Sequence, residues 1–234
     1  ISRALVCLYE DAVIRDKLVF RGGTALNKLF MKPPSRYSED IDLVQRRAEP
    51  IGPVIDAIRG ALESWLGLPK RKMTTRSVKL IYKYEGVDGA ASKLKIEINT
   101  TEHFQVLPLQ MVPFSVDSEW FVGGSTIVTY ALEELMATKL RALYQRRKSR
   151  DLFDMWYVCR QGNVDIAQVM DIFRHYCAHE GVSITKALFQ ENLAEKRLNK
   201  DFRADMLPML SDDQDWDFDS AYDFVQEQVV GRLS

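Results

Sequence analysis

Asp40 and Asp42 stand two residues apart in Ser38-Glu39-Asp40-Ile41-Asp42-Leu43, where apolar Ile41 and Leu43 alternate with them. On a strand, that spacing puts both carboxylates on one face and both apolar side chains on the other. Adjacent like charges repel, so the arrangement is costly unless cations offset it. Two Mg²⁺ ions about 3.5 to 4 Å apart are the usual solution where phosphoryl groups are transferred. One ion would activate an attacking hydroxyl; the other would neutralise a triphosphate and its leaving pyrophosphate, with the carboxylates acting as ligands rather than acids. A D-x-D by itself is more often an exposed turn or strand edge, so its neighbours carry the decision.

Upstream, Phe20-Arg21-Gly22-Gly23-Thr24-Ala25-Leu26 reads as a strand end, two glycines, a hydroxyl residue and a helix start. Glycines let a backbone approach phosphate, and the free amides at a helix N-terminus favour an anion, so Gly22, Gly23 and Thr24 are candidate nucleotide-binding residues. A third carboxylate is expected on an adjacent strand. Lys95-Ile96-Glu97-Ile98-Asn99 supplies Glu97, placed to bind a metal or to take the nucleophile's proton. Farther on, Leu132, Leu135, Met136, Leu140 and Leu143 form one helical stripe, and Lys139 falls inside it rather than on the polar side. A lysine there is a candidate ligand for the nucleotide's phosphates. In Ser149-Arg150-Asp151-Leu152-Phe153-Asp154, Ser149 can cap a new helix. Asp151 and Asp154 sit one turn apart at its start, where carboxylates are favoured anyway, so Asp151 has a structural reading beside a catalytic one.

The elements that must position these groups follow from periodicity. Residues 3 to 17 alternate at helical spacing, 18 to 21 form a short strand, 25 to 31 a helix stopped by Pro33-Pro34, 41 to 44 a strand and 54 to 66 a helix. Residues 78 to 84 and 93 to 99 are strands of a hairpin turned at Gly86-Val87-Asp88-Gly89. From Tyr130 the pattern is helical, over 131–147, 151–161, 164–179, 183–196 and 217–231. This predicts an α+β fold of two domains, 1–128 and a helical 129–234 that completes the active-site cleft.

Bulk composition is that of a soluble globular chain: 234 residues, 46% hydrophobic and 28% charged. No run approaches the ~20 apolar residues of a membrane span. Three widely spaced cysteines without a C-x-x-C pair suggest neither a disulfide framework nor a zinc knuckle, and point to a cytoplasmic setting. The chain begins at Ile1, and no secretion signal pattern follows. The net charge of -1 hides an asymmetry: residues 1–150 carry 24 Lys and Arg against 17 Asp and Glu, net +7, and the remainder is net -8. Two runs free of acid, Lys70, Arg71, Lys72, Arg76, Lys79 and Lys83, then Lys139, Arg141, Arg146, Arg147, Lys148 and Arg150, are candidates for neutralising nucleic-acid phosphates, the second more than the first. The acidic stretch Ser211 to Asp219 lacks the central Gly and closing Glu of an EF-hand and reads as a connector or partner surface. His175 and His179, four apart without an H-E-x-x-H, read as an ordinary helix face, and His103 adds nothing.

Together, RGGTALNKLF at 21–30, RYSEDIDLV at 36–44, KIEIN at 95–99 and LEELMATKLRALYQRRKSRDLFDMW at 132–156 resemble the AbiEii-type toxin nucleotidyltransferases. The resemblance implies a DNA polymerase β-like nucleotidyltransferase domain followed by helices, acting as the toxin of a bacterial toxin–antitoxin pair with a cognate AbiEi-type antitoxin. It assigns Gly23, Thr24, Asp40 and Asp42 to the family's first motif, Lys139 to its later lysine and Asp151 to its final aspartate. It implies transfer of NMP from an NTP to the 3′ acceptor end of tRNA, which blocks translation. Two features depart from it: 15 residues separate Thr24 from Asp40, more than in many polymerase β-like enzymes, and Thr101 stands where a basic residue is expected. The residues alone leave two alternatives: the same chemistry on a small-molecule acceptor, or a non-catalytic NTP-binding interaction domain.

Overall fold

The helix expected over 3–17 is two helices in the computed structural model, which describes residues 1–86, 89–210 and 215–233. Asp11 divides them: its carboxylate accepts the Val13 and Ile14 amides at 2.8 and 3.1 Å, capping α2 (Ala12–Lys17) and ending α1 (Ser2–Glu10). Strand β1 (Leu18–Arg21) then runs directly into a helical turn, α3 (Gly22–Ala25), which widens into a π segment over Leu26–Phe30. Strand β2 (Asp40–Gln45), helix α4 (Gly52–Leu66) and strands β3 (Lys70–Met73), β4 (Ser77–Glu85), β5 (Ala91–Asn99), β6 (Gln110–Ser118) and β7 (Phe121–Thr129) follow.

The seven strands form one mixed sheet in the order β3-β4-β5-β2-β1-β7-β6, with β2/β5 and β1/β7 parallel and the other neighbours antiparallel. β4 and β5 pair from Ser77↔Asn99 to Glu85↔Ala91; of the turn expected to join them, Val87 and Asp88 lie outside the described residues. Leu43, Leu80, Tyr82, Ile96 and Ile98 from one sheet face and Ile58 and Leu62 of α4 are all buried. Each such side chain contributes roughly 1.5–3 kcal/mol. Strands β3, β6 and β7 were not expected from periodicity. β3 is four exposed residues with no apolar alternation, held by pairing with β4 alone. β6 contains Pro113, which reads against a strand; at the sheet edge the missing N–H costs little.

The chain divides into two compact units, Ile1–Phe30 with Ser38–Tyr130, and Met31–Tyr37 with Ala131–Ser234. The second unit is helical: α5 (Leu132–Gln145), α6 (Ser149–Arg160), α7 (Ile166–His179), α8 (Lys186–Arg197), α9 (Lys200–Ala204) and α10 (Phe218–Gln228). Asp165, Thr185, Asn199 and Asp217 cap α7, α8, α9 and α10 by accepting backbone amides. Ser149 departs from its expected role. It is the first helical residue of α6 rather than the cap, Lys148 takes the cap position, and the Ser149 hydroxyl is buried without a hydrogen bond. Residues 31–37 join this unit because Arg36 bridges Leu210 and the Tyr37 amide donates to the Met209 carbonyl at 2.8 Å. Of the acidic stretch, residues 211–214 lie outside the described residues; Asp217 caps α10 and Asp219 pairs with Arg197 and Arg203.

Candidate active site

The sheet register brings the three predicted carboxylates together. Asp42 lies directly opposite Glu97 across the parallel β2/β5 pair and opposite Arg21 across the antiparallel β1/β2 pair, while Asp40 lies opposite Lys95. Residues opposed in this way share a face, so Asp40, Asp42 and Glu97 occupy one patch on the centre of the sheet, each half-buried. The alternating Ile41 and Leu43 are 1% exposed or less and anchor β2 from behind. That burial fixes the register, because a one-residue slip would send both carboxylates into the core.

Gly22 sits against this patch. Its φ is +79°, and a Cβ there would lie 2.7 Å from Asp42 Oδ2, so the turn from β1 into α3 passes close to the carboxylate only because the residue is glycine. Thr24 lies within α3 and is buried. Next to Asp42, the Arg21 guanidinium ion-pairs with Glu102. Burial alone would depress its pKa, but Glu102, Tyr130 and Asp42 hold it above its ordinary value.

Two lysines that periodicity did not single out for this role serve the carboxylates. Lys95 Nζ lies 2.7 Å from Asp40 Oδ2 and 3.6 Å from Glu97 Oε2, and Lys79 Nζ lies 3.0 Å from Glu97 Oε1. Burial works to lower the Lys95 pKa, yet Asp40, Glu97 and Asp42 raise it above the ordinary value. A pocket of about 420 Å³ opens beside Asp40, lined also by Glu39, Ile81, Tyr84, Lys93 and Lys95.

Among the described residues no three His, Cys, Asp or Glu side chains close into a ready-made metal cage. The donor set nevertheless fits Mg²⁺. This ion takes oxygen ligands and is commonly held by one or two carboxylates plus substrate phosphates rather than by an all-protein cage. In-register carboxylates on neighbouring strands meet that need.

Lys139 and Asp151 are brought together in the helical unit, each as the other's partner. Lys139, 4% exposed on α5, places Nζ 2.8 Å from both Asp151 Oδ1 and Asp154 Oδ2 on α6. Arg146 donates to both oxygens of Asp151 at 2.6 and 2.8 Å, and Arg36 forks onto Asp154 at 2.8 and 2.9 Å. Burial alone would raise the Asp151 carboxyl, but Lys139 and Arg146 outweigh it and hold the pKa at about 2. Asp154 is likewise lowered, with Arg36 and Lys139 overriding its burial. Arg36 is the member the sequence reading missed, and Asp154 was placed there only as a helix-start carboxylate, without these partners. The signal for Asp154 was its place one turn beyond Asp151; none pointed to Arg36, whose partner is 118 residues away. Most of the second basic run is thereby consumed internally, because Arg141 pairs with Glu180 and Lys148 with Asp205. His175 donates from Nδ1 to the Asp171 carbonyl of its own helix at 2.8 Å.

The fold agrees with three solved structures. JHP933 from Helicobacter pylori superposes with a TM-score of 0.61 at 19% identity, covering 97% of this chain and 88% of that one. A putative nucleotidyltransferase from H. pylori gives 0.62 at 19%, covering 97% and 90%. MenT4, a nucleotidyltransferase toxin of Mycobacterium tuberculosis H37Rv, gives 0.61 at 17%, covering 99% and 82%. No curated protein sequence matches the chain significantly. The model of the nucleotidyl transferase AbiEii toxin family, type IV toxin–antitoxin system, matches residues 3–224. With a sheet that gathers Asp40, Asp42 and Glu97 beside a glycine turn, and a family match over nearly its whole length, this chain belongs to the AbiEii nucleotidyltransferase toxins.

Proposed function

We propose that the protein transfers NMP from an NTP to the 3′ acceptor end of tRNA, and that this transfer blocks translation. The in-register placement of Asp42 opposite Glu97, with Asp40 on the same face, carries the reading. What Mg²⁺ supplies when bound at these carboxylates is activation of an attacking hydroxyl and neutralisation of the triphosphate. Asp40, Asp42 and Glu97 are the residues that would hold it.

In this reaction the acceptor 3′-oxygen bonds to the α-phosphorus, the bond from that phosphorus to the bridging oxygen breaks, and pyrophosphate leaves. Glu97 takes the hydroxyl proton. Gly22 leaves room for the Asp42 carboxylate and, with Gly23 and Thr24, gives the phosphates a backbone without bulky side chains. Lys139 is carried as a proposed ligand of the nucleotide's phosphates, and within the helical unit Asp151 and Asp154 fix its ammonium. Asp151 is therefore a positioning residue in this scheme. The excess of basic residues in 1–150 favours a polyanionic acceptor over a small molecule. A cytoplasmic setting and an antitoxin partner complete the reading; among the described residues no helix is long and apolar enough to cross a membrane.

The test is incubation of the full chain with each labelled NTP, Mg²⁺ and total tRNA. Label on tRNA that disappears with Asp40→Ala, Asp42→Ala or Glu97→Ala is the expected outcome. No label with any NTP, or labelling indifferent to Asp42→Ala, overturns it.

A further inference from the structure

The first basic run does not lie on one surface. Pairing of β3 with β4 sets Lys70 opposite Ile81 and Lys72 opposite Lys79, while Arg71 falls opposite buried Leu80 on the other face. Pairing of β4 with β5 sets Lys79 opposite Glu97, Ile81 opposite Lys95 and Lys83 opposite Lys93. Since Glu97 and Lys95 lie opposite Asp42 and Asp40, six lysines share one sheet face with the carboxylates: 70, 72, 79, 83, 93 and 95.

Two of these pairings, Lys72↔Lys79 and Lys83↔Lys93, set like charges directly opposite each other, an arrangement that destabilises a sheet. Lys79 and Lys95 are offset by Glu97 and Asp40. Lys70, Lys72, Lys83 and Lys93 are exposed and have no acidic partner among the described residues. Four unneutralised ammonium groups on one sheet face are a site for regularly spaced anions. Lysines two apart on a strand are separated by about 6.6 Å and adjacent strands by about 4.8 Å, so the face runs roughly 14 Å from β2 to the β3 edge. A stacked nucleic-acid strand, advancing ~3.4 Å per residue, places about four phosphates along that length.

We propose that this face of β5, β4 and β3 is the track for the backbone of the polynucleotide acceptor, delivering its 3′ end to Asp40, Asp42 and Glu97. Lys70, Lys72, Lys83 and Lys93 contact phosphates and read no base. The track rests on the proposed reading of the same carboxylates as a nucleotidyl-transfer site, and it places the acceptor path on the sheet rather than on the largely self-paired run from Lys139 to Arg150.

The experiment is fluorescence anisotropy of a labelled single-stranded RNA with a free 3′-hydroxyl, bound to the full chain without NTP across a salt titration. Calorimetry of Mg²⁺·NTP binding runs alongside, and vesicles containing phosphatidylserine serve as a second probe. Replacing Lys70, Lys72, Lys83 and Lys93 together with Ala is expected to weaken RNA binding at least about tenfold and to make the slope of log K against log salt shallower by about 3, with NTP binding unchanged. Lys72→Ala alone weakens RNA binding, whereas Arg71→Ala, one residue away on the opposite face, does not. Equal losses for Lys72→Ala and Arg71→Ala, an unchanged salt slope in the fourfold variant, or a parallel loss of NTP affinity overturns the track. So does lysine-dependent binding of the vesicles without binding of RNA. RNA that binds with the expected lysine dependence but is never labelled by NTP overturns the transfer reaction instead, so the two readings fail separately.

Discussion

At Gly22 two constraints coincide, a φ of +79° and a Cβ position 2.7 Å from Asp42 Oδ2. Gly22→Ala should therefore cost about 1–3 kcal/mol and, by displacing the Asp42 carboxylate, lower nucleotidyl transfer. Gly60, exposed in α4 with nothing within 4 Å of its Cβ position, provides the contrast: Gly60→Ala should raise stability by about 0.4–1 kcal/mol and leave transfer intact. Thermal melts and the transfer assay read both, and a Gly22→Ala protein as stable and active as its parent would contradict the geometry. The alternation of Asp40, Ile41, Asp42 and Leu43 was legible because a strand's period of two separates charge from core without reference to anything else. That Lys79 reaches Glu97 was not, because it depends on which strand lies alongside β5.

Among the elements, α5 and α6 are joined by the Lys139, Asp151 and Asp154 contacts, and residues 31–37 are fastened to α6 through Arg36. Removing one partner of a buried pair leaves the other charge uncompensated. Asp154→Ala should cost about 3–5 kcal/mol in a denaturant titration, while Arg36→Met with Asp154→Leu should cost less than that single change. Asp151 adds a pH dependence. Its carboxyl stands at about 2 in the fold against 3.8 as its ordinary value, a depressed pKa, so its contribution of roughly 2 kcal/mol is present above pH 4 and is lost as the pH falls from 4 towards 2. Stability of Asp151→Asn should fall less steeply than that of the parent over this interval; an identical slope would remove Asp151 from the account. The helices themselves were legible from their apolar stripes, and Lys139 stood out within one. The second partner of Asp154 was not, since Arg36 lies 118 residues from it.

For the molecule as a whole, stability is unevenly distributed over the sheet. Strands β1, β2 and β5 are flanked on both sides and carry buried side chains, whereas β3 is exposed at all four residues and β6 is the opposite edge. Amide hydrogen exchange should be slowest in β1, β2 and β5 and fastest in β3 and β6, because edge amides open without global unfolding. Protection of β3 equal to that of β2 would refute this ordering. The charge division along the chain also acquires a location, as much of the basic excess of the first 150 residues lies on one sheet face.

The α+β class, the carboxylate pair, the glycine turn and the buried lysine were determined by the sequence alone, because each is a local pattern, set by a period of two or 3.6 or, at the turn, by glycine's backbone freedom. Tertiary structure decided the rest. Only strand order could set Glu97 opposite Asp42, and only long-range pairing could form β3 and β6 from segments with weak strand signals. Likewise, only packing could enclose Lys139 between two aspartates and give Asp154 to Arg36. The physical reason is common to all of these: a side chain's face is set by its own strand or helix, but its partner is set by the element that packs beside it.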